Sequence, residues 1–499
     1  MEPAAAFIMD LLSNPGYLLF LFAGSVLGVV FGALPGLTAP MAIAVMLPLT
    51  YTMDPHTGLG FLLGLYSGVG YGGAIPAILL DIPGTPAAVM TAVDGHAMTK
   101  LGEAGKAIGV STVASFVAGV FSVLCLMLTA PWLARFALRF GPHEYFAAGL
   151  VGLAVTSGVI GRSWAKGFWS AAAGVLLSTV GIDPLTNAPR LTFGIPALLP
   201  GIPFIPVMIG MYGMTKVLAH LGSPERAPPP WKQKVTGTIP SWRDLRRIAK
   251  STLQGSVTGT IVGALPGAGP AIAAFISYDI ERKTSPARDA DGRAFGEGRM
   301  DGVAAPEAAN NSITGGALIP LLTFGIPGSA AVAIMLGALT MHNLTPGPLF
   351  FTNHTDVVYG IYLSMILSNV FILIVCLAGI KWFVMVLRLP AARLMPVILV
   401  LCVIGSYSLH NNPFHIVVMA VFGVVGLLFE RASIPQLPMV LGLILGPIIE
   451  QNLRQALIIE NGNFMKILAR PISFALIVSA AVLLLGPPLY SLCRKVKTK

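Results

Sequence analysis

Tyr17–Leu34 and Ala107–Ala130 run for 18 and 24 residues without a charged side chain, and Val357–Leu387 runs for 31 with one, Lys381. A helix needs roughly 20 apolar residues to cross a hydrocarbon core about 30 Å thick. Backbone N–H and C=O groups in lipid must bond within their own segment, so such runs fold as helices. Composition extends the argument to the whole chain: of 499 residues only 31 are Lys or Arg and 21 are Asp or Glu, and mean hydropathy is +0.80. A charged fraction of 10% is too small to clothe several domains in water, where about 25% is usual. Soluble enzyme, nucleic-acid binder and disordered scaffold are poor readings. The chain reads as an all-α polytopic membrane protein.

The net charge of +10 is a matter of topology rather than of a polyanionic partner. No Lys or Arg precedes Lys100, whereas seven fall in Leu221–Lys250, five in Glu281–Asp301, and Arg494, Lys495, Lys497 and Lys499 close the chain. Short basic loops between apolar spans mark the cytoplasmic side. With Lys100–Lys106, Arg162–Lys166, Leu221–Lys250 and the C-terminus inside, the N-terminus is expected in the periplasm; Arg135 and Arg139 fall outside, against the trend. Met1–Pro15 lacks the pattern of a cleaved signal peptide, so the first apolar span is expected to stay. Cys125, Cys376, Cys402 and Cys493 are scattered, with no CxxC pair, and read as small apolar residues.

An internal repeat organises the rest. Gly24–Gly36 and Gly255–Gly267 are identical at nine of thirteen positions at an offset of 231. Gly72-Gly73-Ala74 then matches Gly315-Gly316-Ala317, and Ile82-Pro83-Gly84-Thr85 matches Ile326-Pro327-Gly328-Ser329, at offsets of 243 and 244. The halves are therefore 1–220, with a hairpin at 24–50 and a broken helix at 72–90, and 251–499, with a hairpin at 252–280 and a broken helix at 313–340. A basic cytoplasmic linker, 221–250, joins them. The second copy is flanked by basic loops and the first is not, which is the signature of inverted-topology repeats meeting at a midplane substrate site. Several of the apolar segments are only 10–14 residues long, too short to cross the membrane, and read as re-entrant hairpins or broken helices.

The helix interruptions carry the chemistry. Leu-Pro-Gly at 34–36 and 265–267 frees backbone groups that lipid cannot satisfy, so it requires a protein or wet cover. The Ile-Pro-Gly-Thr/Ser boxes restart helices, with Thr85 and Ser329 as caps and Thr38 in the same role beside Pro40. Helix starts present free N–H groups and a positive dipole end, and so favour an anion. Pro35, Gly36, Thr38, Gly84, Thr85, Pro266, Gly267, Gly269, Gly328 and Ser329 are therefore candidate substrate-binding residues. Asn311, Ser312 and Thr314 join them as side chains suited to substrate oxygens, while Glu307 and Asn310 suit a helix cap equally well. Structural capping and helix packing alone would also place many of these residues, the glycine ladders above all. Asp81, inside Leu80-Asp81-Ile82, is the candidate cation-coupling group, because an acid at membrane depth marks an ion or proton pathway. Na⁺ near Asp81, Gly36 and Gly267, or a proton, is the expected coupling ion; no other cofactor is expected.

These motifs, with Arg190-Leu191-Thr192-Phe193-Gly194, Glu307–Thr314 and Thr323–Gly328, resemble over nearly the whole chain the large membrane subunit of the bacterial tripartite tricarboxylate transporters. The resemblance implies an inner-membrane secondary transporter of about 12 membrane segments for citrate-like di- or tricarboxylates, coupled to a cation. It also implies a small membrane subunit and a periplasmic solute-binding protein as partners. A stand-alone carboxylate carrier is the alternative. An intramembrane hydrolase is a third reading, but Tyr278-Asp279 lacks a Gly-x-Gly-Asp partner, and no Gly-x-Ser-Gly or His-Glu-x-x-His motif is present.

Overall fold

A computed structural model describes residues 2–159, 163–222, 237–386, 391–408 and 411–497. Arg162, positions 223–236 of the expected linker with Arg226, Lys232 and Lys234, and Lys499 lie outside the described residues. The first half contains α1 (Glu2–Ser13), α2 (Pro15–Ala33), α3 (Ala39–Met46), α4 (Pro55–Gly72), α5 (Ala74–Leu80) and α6 (Val89–Lys100). It continues with α7 (Ala104–Ala137), α8 (Pro142–Val159), α9 (Trp164–Ser178), α10 (Phe204–Met208) and α11 (Thr215–Gly222). The second half contains α12 (Trp242–Ala264), α13 (Gly269–Thr284), α14 (Met300–Phe324), α15 (Ala330–Met341), α16 (Phe350–Asn353) and α17 (Thr355–Val386). Then follow α18 (Ala391–Ser408), α19 (Pro413–Arg431), α20 (Gln436–Ile459), α21 (Phe464–Leu468) and α22 (Pro471–Lys497). A two-stranded ribbon, β1 (Gly181–Ile182) with β2 (Pro189–Arg190), precedes α10.

The expectation of about 12 membrane segments is corrected. Among the described residues six helices are long and apolar enough to cross a membrane: Pro15–Ala33, Pro55–Leu80, Ala104–Ala137, Phe204–Leu221, Thr355–Ile380 and Pro413–Arg431. The difference has a physical cause, length and polarity: α3 and α15 are only 8 and 12 residues long, too short to cross, and α14 carries Asp301, Glu307, Asn310 and Asn311 along its first half. Leu19, Leu128, Trp132, Ile374, Val400 and Val421 are exposed on the outside, as suits a multi-pass protein in lipid.

The two repeats build the centre in the same way. α2 packs along α4 backbone to backbone, because a Cβ on Gly24, Gly28 or Gly32 would lie 2.2–2.4 Å from the carbonyl oxygens of Phe61, Leu65 and Val69. On α12, a Cβ on Gly255 or Gly259 would lie 2.3 or 2.1 Å from those of Ala305 and Ala309. Gly72 faces Val29 O and Gly316 faces Thr260 O, so packing sets a single offset of 244 for the second box and pairs Gly72 with Gly316 rather than Gly315. The core lies between these units, from Met41–Leu47 and Leu59–Val69 to Ile313–Leu322 and Ala331–Leu339.

Candidate functional site

Each repeat breaks its helix twice, with matching geometry. Leu34 and Leu265 leave their helices at φ −92° and −89°, and Gly36 and Gly267 both take φ +86°. That left-handed conformation is open to glycine at no steric cost, which is why the box ends in Gly. The second break caps α5 at Asp81 (φ 58°) and α14 at Gly325 (φ 71°). Gly84 then lies against Gly32 O, and Gly328 against Gly263 O.

The breaks converge on one cavity of about 580 Å³. The first copy contributes Thr38, Ala39 and Pro40, Tyr66, Val69 and Gly70, and Thr85, Pro86 and Ala87. The second contributes Gly269, Pro270 and Ala271, Asn310, Ile313 and Thr314, and Ser329, Ala330 and Ala331. These sets are equivalent residue by residue at offsets of 231 and 244. Four helix starts, those after Thr38, Thr85, Ala268 and Ser329, therefore face one space. Their first-turn amides lack helical acceptors and their dipoles add, so the cavity is suited to an anion.

Its walls also hold polar atoms without partners. Thr85 does not cap its helix, and its buried Oγ1 has no hydrogen-bond partner; neither has Oη of Tyr212. Tyr212 lies in a π-helical segment, Ile209–Met214, a local distortion that often marks functional sites. An unsatisfied buried hydroxyl costs about 1–3 kcal/mol, which a ligand oxygen would recover. The cation at the rim is Lys216, whose Nζ lies 2.8 Å from Glu430 Oε1, and both line the cavity.

Of the residues singled out in sequence, Thr38, Thr85, Gly267, Gly269, Thr314 and Ser329 line this cavity. Pro35, Gly36, Gly84, Pro266, Asn311, Ser312 and Gly328 are not among its lining residues. Gly84 and Gly328 serve close backbone packing, and Ser312 Oγ lies in the α12–α14 seam against Gly259. Asn311 turns to α7, donating Nδ2 to Ser115 Oγ at 2.8 Å; its neighbour Asn310 faces the cavity instead and donates to Gly70 O. Asp81 is exposed at its left-handed cap and does not line the cavity. Neither Asn310 nor Glu307 caps α14, since both lie in its interior. Among the described residues no group of three or more His, Cys, Asp or Glu is placed to hold a metal ion.

The chain matches the Tripartite tricarboxylate transporter TctA family over residues 18–441. It belongs to that family. Membership places it among secondary transporters rather than enzymes and implies partner subunits. It is 36% identical over 480 residues to "Uncharacterized 52.8 kDa protein in TAR-I ttuC' 3'region" of Agrobacterium vitis, covering 94% of this chain and 95% of that one. It is 37% identical over 211 residues to "Uncharacterized protein in TAR-II ttuC' 3'region" of the same organism, covering 42% of this chain and 85% of the other. No solved structure matches.

Sequence reasoning missed Tyr212, Lys216 and Glu430 in this TctA-family chain. Lys216 had a usable signal, as a lone cation within the apolar run Ala197–Ala219. Tyr212 had none, because its role depends on a backbone bulge. A second cavity of about 730 Å³ is lined by Arg190 and Glu450 as its charged residues. Their side chains pair at 2.5 Å, and Arg454 joins them to Asp183, so this charge is already neutralised.

Proposed function

We propose that this chain forms the translocation pathway of a cation-coupled importer for citrate-like di- or tricarboxylates. In this reading it works in the bacterial inner membrane with a small membrane subunit, and a periplasmic solute-binding protein delivers the substrate. The observation that carries the reading is the cavity built from equivalent triplets of both repeats, with four helix starts and the unpartnered hydroxyls of Thr85 and Tyr212 on its walls. One carboxylate sits against the helix starts after Thr38 and Thr85, and another against those of α13 and α15. Anion binding at helix N-termini needs no buried arginine. The equivalence of the two walls also suits alternating access, because a near-symmetric site can be presented to either side by similar rearrangements.

The test is uptake of radiolabelled citrate, and of a panel of di- and tricarboxylates, into proteoliposomes holding both membrane subunits with the binding protein outside. Uptake driven by an imposed ion gradient, and weakened by Thr85→Val or Tyr212→Phe, is the expected result. Uptake of no carboxylate under any gradient, with all three proteins folded, would reject the proposal. Full uptake without the binding protein would establish the stand-alone carrier instead.

A further inference from the structure

One buried charge takes no part in the substrate cavity. Glu307 on α14 is fully buried, yet its partners are neutral hydroxyls. Thr91 of α6 donates to Oε1 at 2.5 Å, and Ser111 and Ser115 of α7 donate to Oε2 at 3.3 and 3.2 Å. Asn311 donates Nδ2 to Ser115 Oγ, which occupies a lone pair of that hydroxyl while its proton points at Glu307. Among the described residues no Lys, Arg or His forms an ion pair with Glu307. A carboxylate held in this way bears a desolvation cost of several kcal/mol that no counter-charge offsets.

The surroundings isolate this group. The parts of α7 and α12 packed here, residues 107–124 and 251–264, contain no ionisable side chain. α4 presents Tyr71, whose hydroxyl is bonded to Thr112 Oγ1, and α17 presents Cys376 beside that phenol. α6 presents Asp94, which accepts from the Tyr278 hydroxyl and from the N–H groups of Gly296, Gly298 and Arg299, and His96, 3.1 Å from Ile78 O. α13 presents Tyr278 and Glu281, the latter accepting from Ser251 and Ser285. Asp94 has three backbone amides to hold its charge; among the described residues neither an amide nor a cation does so for Glu307.

Its position links it to the cavity. Asn310 and Thr314, one and two turns further along α14, line the cavity, and a short 3-10 turn, Pro86–Ala88, leads from the cavity wall at Thr85–Ala87 into α6 and Thr91. Resting on the transport reading above, we propose that Glu307 carries the coupled proton. Hydronium from water reaching the site gives its proton to Oε1 or Oε2, leaving water and a neutral carboxyl, and release on the other side reverses the step. The neutral carboxyl becomes a donor, so one of the three hydroxyls must turn away. Ser and Thr hydroxyls on a helix can return to the carbonyl four residues back. Removing a negative charge beside the cavity favours an anion in it, and by linkage a bound anion favours the proton. The same two events bias the α6–α14 contact.

The first test needs no substrate. Infrared difference spectra of the full chain in lipid, titrated with acid, are expected to contain a carboxyl band that disappears in Glu307→Gln. Thr91→Val, which removes a donor to the ionised form, is expected to move the band's midpoint to higher pH; this variant decides the matter if Glu307→Gln does not fold. A band unchanged in Glu307→Gln, unmoved in Thr91→Val, or replaced when NaCl is exchanged for KCl at constant pH would overturn the proposal, the last outcome assigning the site to Na⁺. The second test uses citrate as the probe. The ratio of wild-type to Glu307→Gln affinity is expected to rise roughly tenfold from high to low pH, the titration of citrate itself being common to both. Glu307→Gln should also lose accumulation driven by a pH gradient; a constant ratio or retained accumulation overturns the proposal. If the wild type binds and transports no carboxylate, the transport reading fails, and the infrared result still decides whether Glu307 takes up a proton.

Discussion

The two repeats share a backbone and differ in chemistry. At an offset of 244, Leu63 stands where the second copy has Glu307, Tyr66 where it has Asn310, Gly70 where it has Thr314, and Asp81 where it has Gly325. Positions that make close helix contacts or turns are kept alike: Gly28 with Gly259, Gly36 with Gly267, and Gly84 with Gly328. The repeat therefore encodes the shape of the cavity, and its departures from symmetry encode what the cavity and its surroundings do. The second copy also carries thirteen extra residues, the rise in offset from 231 to 244, in the charged segment before α14.

The largest effects are expected where the copies agree. Gly28→Val and Gly259→Val drive a Cβ into a carbonyl oxygen 2.4 and 2.1 Å away, on helices that cannot separate without opening the core. Each is expected to cost more than about 4 kcal/mol and to abolish a monodisperse peak in size-exclusion chromatography. If one variant folds and the other does not, the two seams are not equivalent. A swap across the asymmetric pair comes next. Leu63→Glu places an unpaired carboxylate in the core, where Leu63 is 1% exposed, and is expected to destabilise by about 3–5 kcal/mol. Glu307→Leu removes an uncompensated charge and is expected to stay within about 2 kcal/mol of wild type, or to stabilise. Thermal unfolding in detergent measures both, and a large loss from Glu307→Leu would mean that the carboxylate serves the fold.

How much of this was legible in sequence follows the same division. The Leu-Pro-Gly and Ile-Pro-Gly boxes could be read because Gly and Pro have backbone consequences that hold in any context. The membrane class was legible from the scarcity of charge. The count of crossings was not, because where each helix ends depends on packing: α3 and α15 stop after 8 and 12 residues, and the apolar run of α14 continues a segment that carries Glu307, Asn310 and Asn311. Side-chain direction was lost as well. Asn310 and Asn311 are adjacent, and only the helix phase sends the first to the cavity and the second to α7. Asp81 stood out as an isolated acid, yet its backbone conformation accounts for its place: Asp and Gly both tolerate the left-handed cap found at 81 and 325. Glu307 was visible as a residue; its lack of a counter-charge required the packing of α6 and α7.

A smaller effect sharpens the comparison at the paired caps. Ser329 Oγ accepts from Val332 N at 3.3 Å, whereas Thr85 Oγ1 has no partner. Thr85→Val keeps the shape and removes an unsatisfied hydroxyl, so stability should be unchanged or higher by up to about 1 kcal/mol. Carboxylate affinity should fall by roughly tenfold to a hundredfold, the worth of one hydrogen bond to a charged group. Ser329→Ala should lose stability through the cap, by about 1 kcal/mol. Unfolding and ligand-induced thermal shifts separate the two, and identical behaviour would mean that Thr85 is a cap after all.

The smallest effect concerns the extra segment of the second copy. It is tied to the rest by ion pairs: Arg247 with Asp289 and Asp291, and Arg293 with Glu103 at 2.7 Å, while Arg299 is buried between Asp301 and the Phe295 ring. The Arg293 guanidinium bonds both oxygens of Glu103 and holds its carboxyl below the usual range. A carboxyl whose folded value is depressed binds protons more readily when unfolded, so its stabilisation is present above the ordinary carboxylate range and is lost as pH falls through the folded value. The pair is partly exposed, so less than about 1 kcal/mol is at stake. Unfolding temperature is therefore expected to fall from about pH 5 to about pH 3 more steeply in wild type than in Glu103→Gln, the curves converging at the acid end. Parallel curves would mean that Arg293 holds the segment through its bond to Gly298 O, 3.0 Å away, and that the ion pair adds nothing.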